Sequence, residues 1–181
     1  MKRPVRTLRS GFTLMEMLVV ISIIVILAGL SFGGFNYVKA KQAREQAKLQ
    51  VKLLSLALED YKADNGVFPE HGVTDGSGGT EKIYEELYPQ NSNAKVYLPE
   101  LNPENDPQGW LAGATGAGPH KIYDPWGNEY RYRTNRSGNP RIFASNPDFD
   151  LWSVGPDGET QASANGGYDP TDPKNQDDIG W

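Results

Sequence analysis

Two sets of carboxylates are the side chains of this sequence best placed to do chemistry. Glu16 stands alone at the entrance of an apolar run, and Met17–Val38 behind it carries no charged side chain. A carboxylate there is costly unless it is paired or hydrogen-bonded, so it suggests a function. Thr13 and Glu16 have the Ser/Thr-x-x-Glu spacing of a capping box, where the two side chains satisfy backbone donors at a helix start. Capping alone accounts for both residues. The second set is Asp157, Asp169, Asp172, Asp177 and Asp178, spread through Gly- and Pro-rich loops. Hard oxygen ligands on loops suit Ca²⁺. The same aspartates suit Asx-turns in a solvated acidic tail, and they have no EF-hand spacing.

Other chemistry finds little support. The sequence has no Cys, which removes disulfides, thiolate nucleophiles and thiolate metal sites. Its two His, His71 and His120, fall in loops where a solvated side chain is the default. Gly-x-Ser-x-Gly, phosphate-loop and His-Glu-x-x-His patterns are absent. No enzyme is indicated. The net charge of −5 disfavours nonspecific nucleic-acid binding.

The elements that must position these carboxylates begin with the apolar run. It has roughly 22 residues, enough to cross a hydrocarbon core of about 30 Å at about 1.5 Å per helical residue. Lys2, Arg3, Arg6 and Arg9 precede it. A secretory signal peptide has such a basic head but a shorter apolar middle. A plain membrane anchor explains the length but not Glu16. Lys39, Lys41, Arg44 and Lys48 follow the run closely, so charge does not fix the orientation. Without the four leader residues, 14 of the 18 basic residues remain against 23 acidic ones, a charge of −9.

The helical pattern continues past Asn36. Val38, Ala43, Ala47, Val51, Leu54, Leu58 and Tyr61 form one apolar stripe, and Pro is absent until after Val67. Asp64-Asn65-Gly66 supplies the stop. Glu81–Tyr88 reads as a short helix with Ile83, Tyr84 and Leu87 inward, and Val96–Pro99 as a short extended piece. Asn102–Pro119 is rich in Pro, Gly and Ala and reads as a surface excursion. Asp124-Pro125-Trp126-Gly127-Asn128 is a tight turn. After it, Tyr130 and Tyr132 alternate with charged residues as in a half-buried strand. Asn135–Pro140 reads as a turn, Arg141–Phe143 as a strand that pairs back, and Phe149–Val154 as a second clear strand. Trp126 and Trp152 are expected in the core.

The order Gly11-Phe12-Thr13-Leu14-Met15-Glu16, between a basic leader and an apolar run, resembles the type III signal of prepilins and pseudopilins. The resemblance implies cleavage between Gly11 and Phe12 by a membrane-embedded prepilin peptidase, followed by N-methylation of Phe12. It also implies that Glu16 pairs with the Phe12 amine of a neighbouring subunit and sets the stagger of a filament. Asp-Pro-Trp-Gly-Asn with Tyr-x-Tyr, then Phe-Asp-Leu-Trp-Ser-Val-Gly-Pro-Asp-Gly and the terminal Asp-Asp-Ile-Gly-Trp, are similar to the major pseudopilins of type II secretion systems. Residues 70–121 are longer and more irregular than that pattern. The resemblance implies one Ca²⁺ after the last strand, held by Asp157, Asp177 and Asp178. Backbone carbonyls near Val154 would add to it, and Gln176 is an alternative to one carboxylate. It also places a helix-interrupting Pro of relatives at Gly33, which Gly34 follows.

The expected fold is α+β and pilin-like, a long N-terminal helix packed on a small antiparallel sheet with a loop-rich C-terminal region. Its parts are a removed leader at 1–11, a transmembrane and filament-core helix at 12–35, the amphipathic half of that helix at 36–66, and a globular domain at 67–181. The implied function is structural. The subunit would be stored in the inner membrane in contact with lipid, with its C-terminal domain in the periplasm. It would then polymerise with itself, with minor pseudopilins and with an inner-membrane assembly platform into a pseudopilus that drives secretion. A type IV pilin, a competence pseudopilin, or a membrane-anchored binding module with a prepilin-like signal are the alternatives.

Overall fold

Helix α1, Leu14–Asn65, dominates the chain with 52 residues. The structure, a computed structural model, describes residues 11–70, 79–91, 93–116, 118–134, 148–161 and 171–180, with the backbone alone at 30–36. The basic leader residues, His71, the turn at 135–140, the strand expected at 141–143, Asp169 and Trp181 lie outside the described residues. The chain divides into two units, Met1–Lys41 and Gln42–Trp181.

In the first unit α1 begins at the expected capping box, and its backbone stays helical through Gly33-Gly34. Its described apolar side chains are exposed, from Phe12 at 76% to Leu27 at 58%. Among the described residues, no helix is long and apolar enough to cross a membrane.

In the second unit α1 buries one face. Ala47, Val51, Leu54, Ala57 and Leu58 are within the core, while Ala43 and Tyr61 of the expected stripe are half-buried; its first member, Val38, falls in the first unit and is exposed. The helix stops where Asn65-Gly66 predicts. Gly66 takes φ 77°, the left-handed conformation that a glycine adopts without a Cβ penalty. Its N–H donates to the Lys62 carbonyl at 2.7 Å.

Helix α2, Thr80–Leu87, turns Ile83, Tyr84 and Leu87 inward as its pattern requires. Val96–Pro99 does not form a strand. Instead the N–H groups of Tyr97 and Leu98 both donate to the Leu87 carbonyl at the end of α2, at 2.9 and 3.2 Å.

The stretch 102–119 is a correction to the sequence reading. It is no surface excursion, because Trp110 and Leu111 are fully buried in the core. Asp106 fixes them. Its two carboxylate oxygens accept the N–H groups of Trp110 and Leu111, each at 2.8 Å. The Gln108 carbonyl accepts the side-chain amides of Gln46 and Gln50 on α1. Local composition favoured a loop, but two large apolar side chains gain about 1.5–3 kcal/mol each by burial, and that decides the path.

Among the described residues, three strands form one antiparallel sheet in the order β1 (Arg131–Thr134), β2 (Phe149–Ser153), β3 (Ile179–Gly180). Tyr132 stands opposite Leu151, and Ser153 opposite Ile179. Tyr132, Phe149, Leu151 and Ile179 join the main core with α1 and α2. Alternation puts Arg131, Arg133, Asp150 and Trp152 on the other face. That face is not solvated either: Asp150 is 0% and Trp152 1% exposed. Trp152 is therefore buried as expected, but away from the main cluster. Trp126 only packs on the edge of that cluster, half-buried. Arg133 Nε donates to Asp150 Oδ2 at 2.9 Å, a buried ion pair that alternation alone would have left in water.

Candidate assembly site and C-terminal acidic loop

The first site is the start of α1. Gly11 and Phe12 precede the helix in open surroundings, and a Cβ at Gly11 would meet nothing within 4 Å. The capping box forms in full. Thr13 N–H donates to Glu16 Oε2 at 2.9 Å, and Glu16 N–H donates to Thr13 Oγ1 at 3.2 Å. The Thr13 hydroxyl also donates to Glu16 Oε2, at 3.0 Å. The capping role of Glu16 is thus realised within its own turn. The acceptor capacity of a carboxylate exceeds these bonds, so capping leaves Glu16 able to take a further cationic donor.

The second site is built around the end of β2. Gly155 is buried there with φ 70°. Asp177, just before β3, crosses directly over it. A Cβ at Gly155 would lie 2.5 Å from Asp177 Oδ2. The same oxygen accepts the Asp157 N–H at 3.3 Å. Asp178 receives the Thr160 hydroxyl on Oδ2 at 2.7 Å, while its Oδ1 is buried without a hydrogen-bond partner. Burial pushes the Asp178 carboxyl up to about 6, with the charges of Asp177 and Asp157 adding to it and the Thr160 hydroxyl and Arg131 opposing. Asp178 also lines an open groove with Arg44 and Lys48 of α1.

Asp157, Asp177 and Asp178 therefore meet in one corner. Asp172 does not join them; it caps a short 3₁₀ turn by accepting the Lys174 N–H at 3.0 Å. Asp157 makes an Asx-turn as well, accepting the Glu159 N–H at 2.8 Å. Among the described residues, no group of three or more His, Asp or Glu side chains is arranged to hold a metal ion. A calcium shell here would need carbonyl and water oxygens beside the carboxylates, which Ca²⁺ accepts. Gln176 is exposed at the surface of the turn.

Several residues that shape this corner were not singled out from the sequence. Asn175 is buried and clamps the loop from the other side. Its Oδ1 accepts the Gln161 N–H and its Nδ2 donates to the Gln161 carbonyl, each at 2.7 Å. Nothing local marks Asn175. Asp124 had a readable signal, since an aspartate opening a Pro-Trp-Gly-Asn turn invites an Asx-turn. It accepts the N–H groups of Trp126 and Asn128 on Oδ1 and the Ser153 hydroxyl on Oδ2.

Two family models match separate segments of the chain. The model of a prokaryotic N-terminal methylation motif matches residues 6–32. The model of type II secretion system protein G matches residues 81–168. Most of the stretch 70–121, read from sequence as departing from that pattern, thus lies inside it. The type II secretion system core protein G of Pseudomonas aeruginosa is 32% identical, over 88% of this chain and 92% of its own. Its namesake in Escherichia coli K12 is 32% identical over 83% and 84%, and that of Vibrio cholerae 30% over 87% and 88%. With two-part matches in order and such coverage, the chain belongs to the type II secretion system core protein G family.

Proposed function

We propose that this chain is the repeating structural subunit of a periplasmic pseudopilus in type II secretion. The observation that carries this reading is the start of α1. An apolar helix surface lies exposed from Leu14 to Leu27, headed by one carboxylate. A contiguous apolar surface of that extent marks a partner or a membrane. Lipid covers it in the stored subunit, anchored in the inner membrane with its C-terminal domain in the periplasm. Neighbouring subunits cover it in the filament. Prepilin peptidase cleaves between Gly11 and Phe12 and methylates Phe12. Glu16 then takes the Phe12 amine of a neighbour as its ion-pair partner, because a charge left unpaired in an apolar filament core costs several kcal/mol. The further partners are the minor pseudopilins and the inner-membrane assembly platform. The role is structural, not catalytic.

Glu16→Gln tests this. The variant keeps an acceptor for capping but loses the charge. It should be cleaved, stay in the membrane and form few filaments. A filament yield equal to wild type would reduce Glu16 to a cap, worth about 1 kcal/mol.

The reading extends to Ca²⁺ in the C-terminal corner. The orphaned, buried Asp178 Oδ1 and the charges of Asp177 and Asp157 acting on Asp178 support it. Asp157, Asp177 and Asp178 would hold the ion, with carbonyls near Val154. A cation there neutralises the aspartates and ties the tail to the end of β2.

A further inference from the structure

The turn Asp124–Asn128 grips both sides of one residue, Gly155, at the root of the acidic loop. Asn128 Nδ2 donates to the Gly155 carbonyl at 2.8 Å. The Gly155 N–H donates to Ser153 Oγ at 3.1 Å, and that hydroxyl donates in turn to Asp124 Oδ2 at 2.6 Å. Asp124 Oδ1 closes the circuit by accepting the Asn128 N–H at 2.8 Å. Asp124 and Ser153 are buried, 3% and 0% exposed. Gly155 is the residue on which Asp177 rests, and Asp157 follows two positions later. Asn128 also reaches the far end of this loop, where its Oδ1 stands 3.1 Å from where a Gly158 Cβ would be.

We infer that Asn128 and Ser153 are positioning residues for the calcium corner, fixing Gly155 so that Asp157 and Asp177 face one ion. The inference rests on the calcium reading above. Neither side chain is among the carboxylates that would touch the ion. Their action is through the backbone between them. Residues that orient metal ligands in this way typically change affinity by about 10–100-fold when removed.

The experiment is calorimetric titration of full-length protein in detergent micelles with CaCl₂, beside a thermal melt of each sample in chelator. Wild type should bind calcium. Asn128→Ala and Ser153→Ala should each bind at least about tenfold more weakly. Asn128→Ala should keep a melting temperature in chelator close to wild type, which separates lost positioning from lost folding. If Asn128→Ala does not fold, Ser153→Ala decides. Wild-type affinity in the folded variants would overturn the positioning role and leave the calcium reading intact. No calcium binding by the wild type would overturn both, and that failure would appear before any variant is measured.

Discussion

Asp177 Oδ2 lies 2.5 Å from the point where a side chain on Gly155 would begin. The contact leaves room for glycine alone, and it holds together the end of β2 and the residue that opens the path into β3. Gly155→Ala must therefore displace Asp177 as well as force alanine into a left-handed conformation. Gly109 is a matched control, with the same φ of 70° and open space around its Cα. Gly109→Ala should cost about 1–2 kcal/mol, the conformational term alone. Gly155→Ala should cost clearly more, read as midpoint shifts in denaturant with calcium chelated. Equal costs would mean that Asp177 yields freely.

The buried Arg133–Asp150 pair gives a second outcome. Asp150→Ala leaves a guanidinium buried beside an absent carboxylate and should cost about 3–5 kcal/mol. The double variant Arg133→Met/Asp150→Leu should lose less than the single one, since apolar replacements of a buried pair are often neutral or better. Urea unfolding of the three proteins orders them. A double variant less stable than Asp150→Ala would show that Arg133 without Asp150 is tolerated better than the apolar replacement of both.

What the sequence made legible was local or periodic. Asn65-Gly66 marked the end of α1 because a glycine there adopts the left-handed turn cheaply. Ile83, Tyr84 and Leu87 marked the buried face of α2 because their spacing fits one side of a helix. What escaped was set by partners far away in the chain. Trp110 sits among Gly, Pro and Ala, and its burial with Leu111, held by the carboxylate of Asp106 and the amides of Gln46 and Gln50, turns that stretch into core. Arg133 looks solvent-facing by alternation until Asp150, on the neighbouring strand, meets it. At the two sites the aspartates could be named, and Glu16 could be named, but Asn128, Ser153 and Asn175 could not. Their roles are hydrogen bonds to loops 14 to 27 residues distant or to a turn that pattern alone does not bring near.

Processing gives a third prediction. Gly11 stands in open space, so a larger residue there does not disturb the chain's own packing. Gly11→Leu should fold and insert as wild type does, yet remain uncleaved when prepilin peptidase is present. Intact mass then separates the two: wild type should begin at N-methyl-Phe12, and the variant should retain residues 1–11. A Gly11→Leu chain cleaved to the same mass would show that this position does not govern the cut.

The last prediction concerns pH. Asp178 is held at about 6 in the folded chain, chiefly by burial and further by Asp177 and Asp157. Its ordinary value is 3.8, so between about pH 4 and 6 the folded state binds the proton that the unfolded state has released. Stability then rises as pH falls through that window, and above about pH 6 the chain carries the full cost of the buried charge. Full-length protein in micelles with chelator should melt at a higher temperature at pH 5 than at pH 7 on this account. Asp178→Asn should flatten that step, since it removes the titrating group and keeps its size. Calcium should reverse the trend. The ion requires the charged carboxylates, so its binding weakens as protons compete below about pH 6, and the stabilisation it confers should be largest at neutral pH. A wild-type chain with no excess stability at pH 5 over Asp178→Asn, each taken relative to pH 7 in chelator, would remove Asp178 as the source. A calcium effect independent of pH from 5 to 7 would place the ion away from Asp178.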